Sequence, residues 1–285
     1  MNRRTALHLV VAVTGLLAAM PAGAAQQLEI FDAHLHYNQE PDPFYSLDAV
    51  LQTFRRNGVT GILATSRPNK GTHQLMDAKA QRSAPGLWVV PFIRPYRQRA
   101  DIQTWFNDPS IYDLVQEEYR RGYYVGVGEF HIYGKSAAAD VVKKVVNFAV
   151  ERNLYLHAHC DEEALLILFA HNPKAKIIWA HTGFTTAPAR ISELFDRHAG
   201  LWGELSYRSG ITNGEGSLTG EWRALFAKYS DRFLLGSDTW INERWLSYDA
   251  IMRGYRSWLA QLPQDQARQI ASGNAERLFG PRKAE

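Results

Sequence analysis

The residues able to do chemistry recur at the ends of short apolar runs. The first run ends in Asp32-Ala33-His34-Leu35-His36, and a later one in Leu154-Tyr155-Leu156-His157-Ala158-His159. Two histidines at i and i+2 of an extended segment project to one face, so both imidazoles can reach one cation. Other runs end in Gly128-Glu129-Phe130-His131, in Trp179-Ala180-His181 and in Gly236-Ser237-Asp238. Six of the 10 histidines (His34, His36, His131, His157, His159, His181) fall at such ends. A lone buried histidine is usually just hydrogen-bonded. This many titratable groups buried together are costly unless a metal compensates. The candidate ligands are therefore His34, His36, Glu129, His157, His159, His181 and Asp238. Such donors suit Zn2+, and also Mn2+, Fe2+ or Co2+, as one ion or two. His157 and His159 share a strand face, and both stay open: one to bind metal, the other to contact substrate or a second ion.

Something must bring these run ends together. Short runs rich in Val, Ile, Leu and aromatics sit at 28–35, 59–65, 87–93, 123–130, 154–159, 176–181, 201–207 and 232–237, as expected of strands buried on both faces. Helical stretches lie between them at 46–57, 137–152, 162–171, 187–198, 219–229 and 243–261. The first opens on a Ser46 cap and stops before Gly58. Residues 264–279 read as an extra C-terminal helix, and Lys70 and His73 as loop residues. Repeated strand–helix units predict a (β/α)8 TIM barrel with an additional C-terminal helix, a fold that gathers its chemistry at the C-terminal ends of its strands. A doubly wound sheet is the competitor, but no Gly-x-Gly-x-x-Gly follows the first strand.

The order His-x-His, Glu, His, His, Asp at the ends of strands 1, 4, 5, 6 and 8 resembles the amidohydrolase superfamily. The pattern is most similar to its amidohydrolase-related (amidohydrolase 2) group of metal-dependent TIM-barrel hydrolases, which also includes lactonases and metal-dependent decarboxylases. Ala180-His181-Thr182-Gly183-Phe184, Gly236-Ser237-Asp238-Thr239 and Gly273-Asn274-Ala275-Glu276-Arg277-Leu278-Phe279 look like that group, and Gly128-Glu129-Phe130 is similar to the Gly-Glu-Ile motif of TatD-like nucleases. The resemblance spans 28–280. It departs at strand 4, where the carboxylated lysine of dihydroorotase-type members has no counterpart. Glu129 must serve there if a bridging ligand exists.

A bound cation lowers the pKa of water from about 15.7 towards about 7. Asp238 would orient that water, take its proton and pass it to the leaving group. His181 would be a ligand or a donor to the polarised substrate oxygen. The expected reaction is cleavage of an amide, ester or lactone bond in a small molecule. Arg94 ends strand 3 and Arg208 ends strand 7; either could clamp a substrate carboxylate or phosphate. His131 is expected to back the ligands rather than join them. Trp240, Trp245 and Tyr248 could wall the pocket. Cys160, the single cysteine, excludes an intrachain disulfide and a tetrathiolate site, and is not expected to act as a nucleophile beside a metal. The alternatives are a non-oxidative decarboxylase using the same ligands, and a binding protein without catalysis.

Composition bounds the rest. Hydrophobic residues make up 46% of 285 and charged residues 21%, the ordinary globular range. The 32 basic and 29 acidic side chains balance to +3, too even for a nucleic-acid surface. Residues 1–25 read as an export signal: Arg3 and Arg4, an apolar stretch from Leu7 to Met20, Pro21, then Ala22-Gly23-Ala24. Cleavage would leave one domain over 26–285 at a charge of +1, periplasmic or secreted, with no stable membrane association. A homo-oligomer is compatible with this reading.

Overall fold

The computed structural model describes residues 28–38, 44–77 and 86–280, so the export-signal reading lies outside the described residues. Eight parallel strands follow one another around the sheet in chain order. They are β1 (Ile30–Leu35), β2 (Val59–Ala64), β3 (Trp88–Ile93), β4 (Gly126–Ile132), β5 (Tyr155–Cys160), β6 (Lys176–Trp179), β7 (Leu201–Glu204) and β8 (Phe233–Leu234). Beyond β8 the Ala33 amide donates to the Leu235 carbonyl at 2.7 Å, which closes the ring against β1. The fold is a (β/α)8 TIM barrel with a C-terminal helix.

The helices bury one stripe each against the outside of the ring. They are α1 (Leu47–Arg56), α2 (Lys70–Met76), α3 (Pro109–Tyr119), α4 (Asp140–Glu151), α5 (Glu162–His171), α6 (Pro188–Arg197), α7 (Gly220–Tyr229), α8 (Asn242–Leu246), α9 (Tyr248–Leu259), α10 (Gln264–Arg268) and α11 (Asn274–Phe279). On α4, Val141, Val142, Val145, Val146 and Phe148 are buried, as the i, i+3, i+4 spacing requires. The 46–57 stretch becomes α1, with Ser46 accepting from the Ala49 amide.

Three expectations need correction. Lys70 and His73 belong to α2 rather than to a loop. A helix between β3 and β4 was not expected, yet Asp108 caps the Ser110 amide and Pro109 occupies the first turn of α3, which buries Ile111 and Val115. The 243–261 stretch divides into α8 and α9 around Ser247. The 264–279 stretch is the expected C-terminal helix, helical throughout as α10 and α11 with a π-turn over Gln269–Gly273 between them.

The barrel interior is layered. Phe31, Ala33, Leu63, Val90, Phe92, Ile178 and Leu234 come from strands on opposite sides of the ring and pack together with Ala275. Phe279 of α11 closes this end, its ring 5.2–6.4 Å from those of Tyr155, Phe31, Phe92 and Trp88. Tyr155 Oη donates to the Leu278 carbonyl at 2.7 Å and pins the helix there. The polar layer lies above, at the opposite end.

No helix among the described residues is long and apolar enough to cross a membrane.

Candidate metal centre

Strand 1 and the segment after strand 8 are stitched into one unit. Asp32 is fully buried and accepts from the amides of Ser237 (2.8 Å) and His34 (3.2 Å) and from Tyr248 Oη (2.8 Å). The Asp238 amide donates to the His34 carbonyl at 2.6 Å, and Thr239 Oγ1 donates to the His36 carbonyl at 2.8 Å. These bonds set Asp238 beside His34 and His36, although Asp238 lies beyond β8 in left-handed backbone, φ 51°. Gly236 permits the close approach: a Cβ there would stand 2.5 Å from the His34 Cβ.

Glu129 reaches the same point through a bulge in β4 between Gly128 and Phe130. Gly128 has φ 127°, and a Cβ on it would lie 2.2 Å from the His157 carbonyl oxygen. Thr65 Oγ1 donates to the Gly128 carbonyl and accepts from the Glu129 amide, fixing the turn.

Four donor atoms then converge. His34 Nε2 stands 3.4 Å from Glu129 Oε2 and 3.4 Å from Asp238 Oδ1. His36 Nε2 stands 3.3 Å and 3.1 Å from the same two atoms. Both rings are oriented from behind. His34 Nδ1 donates to Glu204 Oε2 at 2.8 Å, and His36 Nδ1 to the Thr65 carbonyl at 2.5 Å. Arg94 Nη1 also lies 2.9 Å from His36 Nδ1, but a carbonyl cannot donate, so the Nδ1 proton goes to Thr65. Each Nε2 is left with a lone pair aimed inward, where it meets carboxylate oxygens that also accept. His34 Nε2 and Asp238 Oδ1 are accordingly buried without a hydrogen-bond partner. Four donors around one ion at about 2.1 Å stand about 3.4 Å apart when tetrahedral. The separations fit a cation held by His34, His36, Glu129 and Asp238.

Charge makes the same demand. Glu129, Glu204 and Asp238 are buried together, and of the buried guanidiniums it is Arg94 that pairs with them, its Nη1 3.1 Å from Glu129 Oε2. Burial opposes charge on His34, yet Asp238, Glu129 and Glu204 outweigh it and hold its pKa well above an ordinary imidazole's, so that without a cation a proton would be drawn onto Nε2 in its place. Burial raises Glu129, but His131, His34 and Arg94 hold it well below the usual carboxylate range. Burial likewise raises Asp238, and His34 and His36 bring it to about 2.

The remaining candidates divide by position. His159 and His181 line the mouth; His159 Nδ1 lies 2.8 Å from Glu129 Oε1, and His181 Nε2 lies 3.8 Å from Asp238 Oδ2. His181 Nδ1 donates to the Ser206 carbonyl at 2.9 Å, and its backbone is left-handed at φ 57°, just past the end of β6. His131 stacks on His159 at 4.1 Å and contacts Tyr96 Oη at 3.2 Å. Two further groupings of donor atoms lie within 4.8 Å of one another: Glu129, His131 and His159, and, deeper, His34, His157 and Glu204. His157 is two strand residues below His159, about 6.6 Å deeper. It does not line the mouth, neither ring nitrogen has a partner, and burial with nearby His34 pushes its pKa well down. Arg94 lines the mouth as expected.

Arg208 does not, and the expectation that it clamps substrate there is corrected. Tyr207 is left-handed at φ 52°, which turns the chain after β7. The Arg208 guanidinium packs 4.9 Å from the Trp222 ring and donates to the Thr186 carbonyl, away from the metal centre. Trp240 walls the mouth, whereas Trp245 and Tyr248 are buried in the core.

The mouth is a cavity of about 500 Å3 whose lining includes Arg67, Arg94, Arg99, Phe184, Tyr207 and Trp240. Arg67 and Arg99 were not anticipated as lining residues. Glu204 was also missed. It sits at the end of β7, fully buried, and accepts from His34 Nδ1, from the His181 amide at 3.1 Å and from Ser206 Oγ at 2.8 Å. A carboxylate closing a buried-type strand was the available signal.

Comparison with known proteins agrees with this fold. The profile of the Amidohydrolase family matches residues 112–280. Similar solved structures include an amidohydrolase from Burkholderia multivorans with bound zinc (14% identity, TM-score 0.57, 89% of this chain and 99% of that one). Another is a probable 2-pyrone-4,6-dicarboxylic acid hydrolase from Acinetobacter baumannii with citric acid bound (15%, 0.56, 88% and 99%). A third is a single-site mutant of an organophosphorus hydrolase from Deinococcus radiodurans (16%, 0.56, 90% and 94%). No curated protein sequence matches the chain.

Proposed function

Because the chain belongs to the Amidohydrolase family, we propose that it is a metal-dependent hydrolase of an amide, ester or lactone bond in a small anionic molecule. One observation carries the reading: His34, His36, Glu129 and Asp238 offer four inward-facing donor atoms, with every imidazole-to-carboxylate separation at 3.1–3.4 Å and two of the atoms buried without partners. A divalent cation bound there supplies a Lewis acid and brings the pKa of water towards neutrality.

The chain's own groups do the rest. Asp238 takes a proton from the attacking water at its carboxylate and returns it to the leaving atom. Glu204 holds the His34 tautomer, and through Ser206 it also braces His181. Burial opposes charge on His181, but Glu129 and Glu204 outweigh it and raise its pKa. As the imidazolium, with Nδ1–H on the Ser206 carbonyl, it turns a second donor, Nε2–H, to the substrate oxygen on which charge develops. Arg67, Arg94 and Arg99 give the mouth positive charge, which favours a substrate bearing a carboxylate or phosphate. Phe184, Tyr207 and Trp240 supply apolar surface beside it.

The test is metal analysis of the purified protein, followed by a panel of carboxylated amides, esters and lactones assayed in parallel for CO2 release. Hydrolysis that stops on chelation and returns with Zn2+ or Mn2+ supports the proposal. CO2 release without hydrolysis shows the decarboxylase instead.

A further inference from the structure

A second cavity, of about 520 Å3, lies beside the mouth between the segment after β7 and α9. Tyr207 is the wall between the two, since it lines both. Its ring is held on each side: Trp240 Nε1 donates to Tyr207 Oη at 3.1 Å, and the Arg244 guanidinium lies 3.9 Å from the ring centre. The cavity is therefore separate from the metal centre.

Its lining pairs two cations with apolar surface. Arg208 and Arg244 both face it, and neither has a carboxylate partner among the described residues. Arg244 spends its Nε on the Ser237 carbonyl, and Arg208 one terminal nitrogen on the Thr186 carbonyl. Arg208 Nε is buried with no partner, and burial draws the guanidinium pKa down to about 10 without a carboxylate to oppose it. Leu205, Ile211, Ile251 and Trp258 form the apolar wall. The terminal nitrogens these bonds leave over, Arg208 Nη1 and both of Arg244, have no hydrogen-bond partner among the described residues and suit an anion, and the wall suits a flat or aliphatic body attached to it.

We propose that this cavity binds a small organic carboxylate with an apolar body, held by Arg208 and Arg244, at a site distinct from the metal centre.

The probe is benzoate, titrated calorimetrically into the purified chain, with acetate as the same charge without the ring. Two variants target the cavity. Arg208→Gln removes the charge. Gly254→Leu fills the space: Gly254 lines the cavity within α9, and a Cβ there meets nothing within 4 Å. That change also replaces a helical glycine with a better helix former, so it decides the matter even where Arg208→Gln folds poorly. Benzoate should bind with a Kd of about 1 mM or tighter and more tightly than acetate, and each variant should weaken it by about tenfold or more. Arg94→Gln, at the mouth, should leave this binding in place. The proposal is overturned by absence of benzoate binding, by acetate binding equally well, or by binding that Arg94→Gln abolishes and both cavity variants keep.

Discussion

Two histidine–carboxylate pairs in this chain have the same length and different surroundings. His34 and Glu204 meet at 2.8 Å inside the barrel mouth, and His73 and Glu118 meet at 2.8 Å between α2 and α3. In the first pair both side chains are fully buried, and the far nitrogen of His34 has no partner. In the second, Glu118 also accepts from Tyr124 Oη and pairs with Arg121, and His73 is 24% exposed. The difference lies on the side facing away from the carboxylate. At the flank the ring is partly exposed, and neither of its nitrogens is buried without a partner. At the mouth that side points at Glu129 and Asp238, which need a positive charge between them. A histidine and a carboxylate in contact do not make a site; a tautomer fixed from behind and an unmet lone pair in front do.

The largest contrast should come from deleting each imidazole. His34→Ala should abolish turnover and lower bound metal, measured by elemental analysis, while circular dichroism shows a folded barrel. His73→Ala should leave turnover and metal content unchanged. Equal losses from both would mean that the mouth pair is structural too.

Asp238→Asn comes next. Asparagine tolerates the left-handed backbone that residue 238 adopts, so the shape survives and the base does not. Turnover should fall by about 10²–10⁴-fold, about 3–5 kcal/mol of barrier, with metal content reduced less. A turn-capping role would instead cost about 0.5–2 kcal/mol of stability with normal turnover. That role is disfavoured, since Asp238 Oδ1 has no hydrogen-bond partner. Wild-type activity in Asp238→Asn on a confirmed substrate would sink the mechanism and leave the metal centre standing.

Mouth and flank also differ in how far they could be read from sequence. Apolar runs marked the eight strands because strands covered on both faces have little else in them, and strand parity placed His34 and His36 on one side. Parity holds only while the chain is a strand. β7 stops at Glu204 and Tyr207 is left-handed, so Arg208 does not end the strand as its place after the apolar run suggested. The same early stop hid Glu204, because attention to the last residue of an assumed longer strand passed over the carboxylate that truly ends it. Parity likewise cannot measure depth, which is what separates His157 from His159. The α3 helix was missed because its hydrophobic stripe is narrow, with only Ile111 and Val115 fully buried. Its Asp108-Pro109 start was the signal. Arg67 comes to the mouth from a loop and Arg99 from a short 3-10 helix, Arg99–Gln103, where no long periodicity exists to follow.

Glu204→Gln tests the orienting half of the argument with a smaller effect. Glutamine can still accept from His34 Nδ1, but without a charge. Loss of such a partner behind a ligand typically costs about 10–100-fold in metal affinity or activity. Competition with a metal-sensitive dye should show weaker Zn2+ binding in the variant. Unchanged affinity would mean that Thr65, His36 and the two carboxylates suffice without it.

The smallest effect belongs to the flank. Burial pushes the Glu118 carboxyl up, but hydrogen bonds from His73 and Tyr124, with the His73 and Arg121 charges, outweigh it and hold the pKa below its ordinary value. A depressed carboxyl stabilises the fold above its unfolded pKa of about 4.3, and that contribution is lost as pH falls through the lower folded value. Glu118→Gln should therefore be less stable than wild type near pH 7, by about 0.5–1 kcal/mol given the partly solvated partners. The gap should close as the pH falls below about 4, where the wild-type carboxyl also becomes neutral. Urea midpoints for the two proteins at several pH values measure it, and turnover at pH 7 should be the same in both. A gap that stayed constant with pH would show that shape rather than charge holds this pair. A loss of turnover would show that the flank and the mouth are coupled.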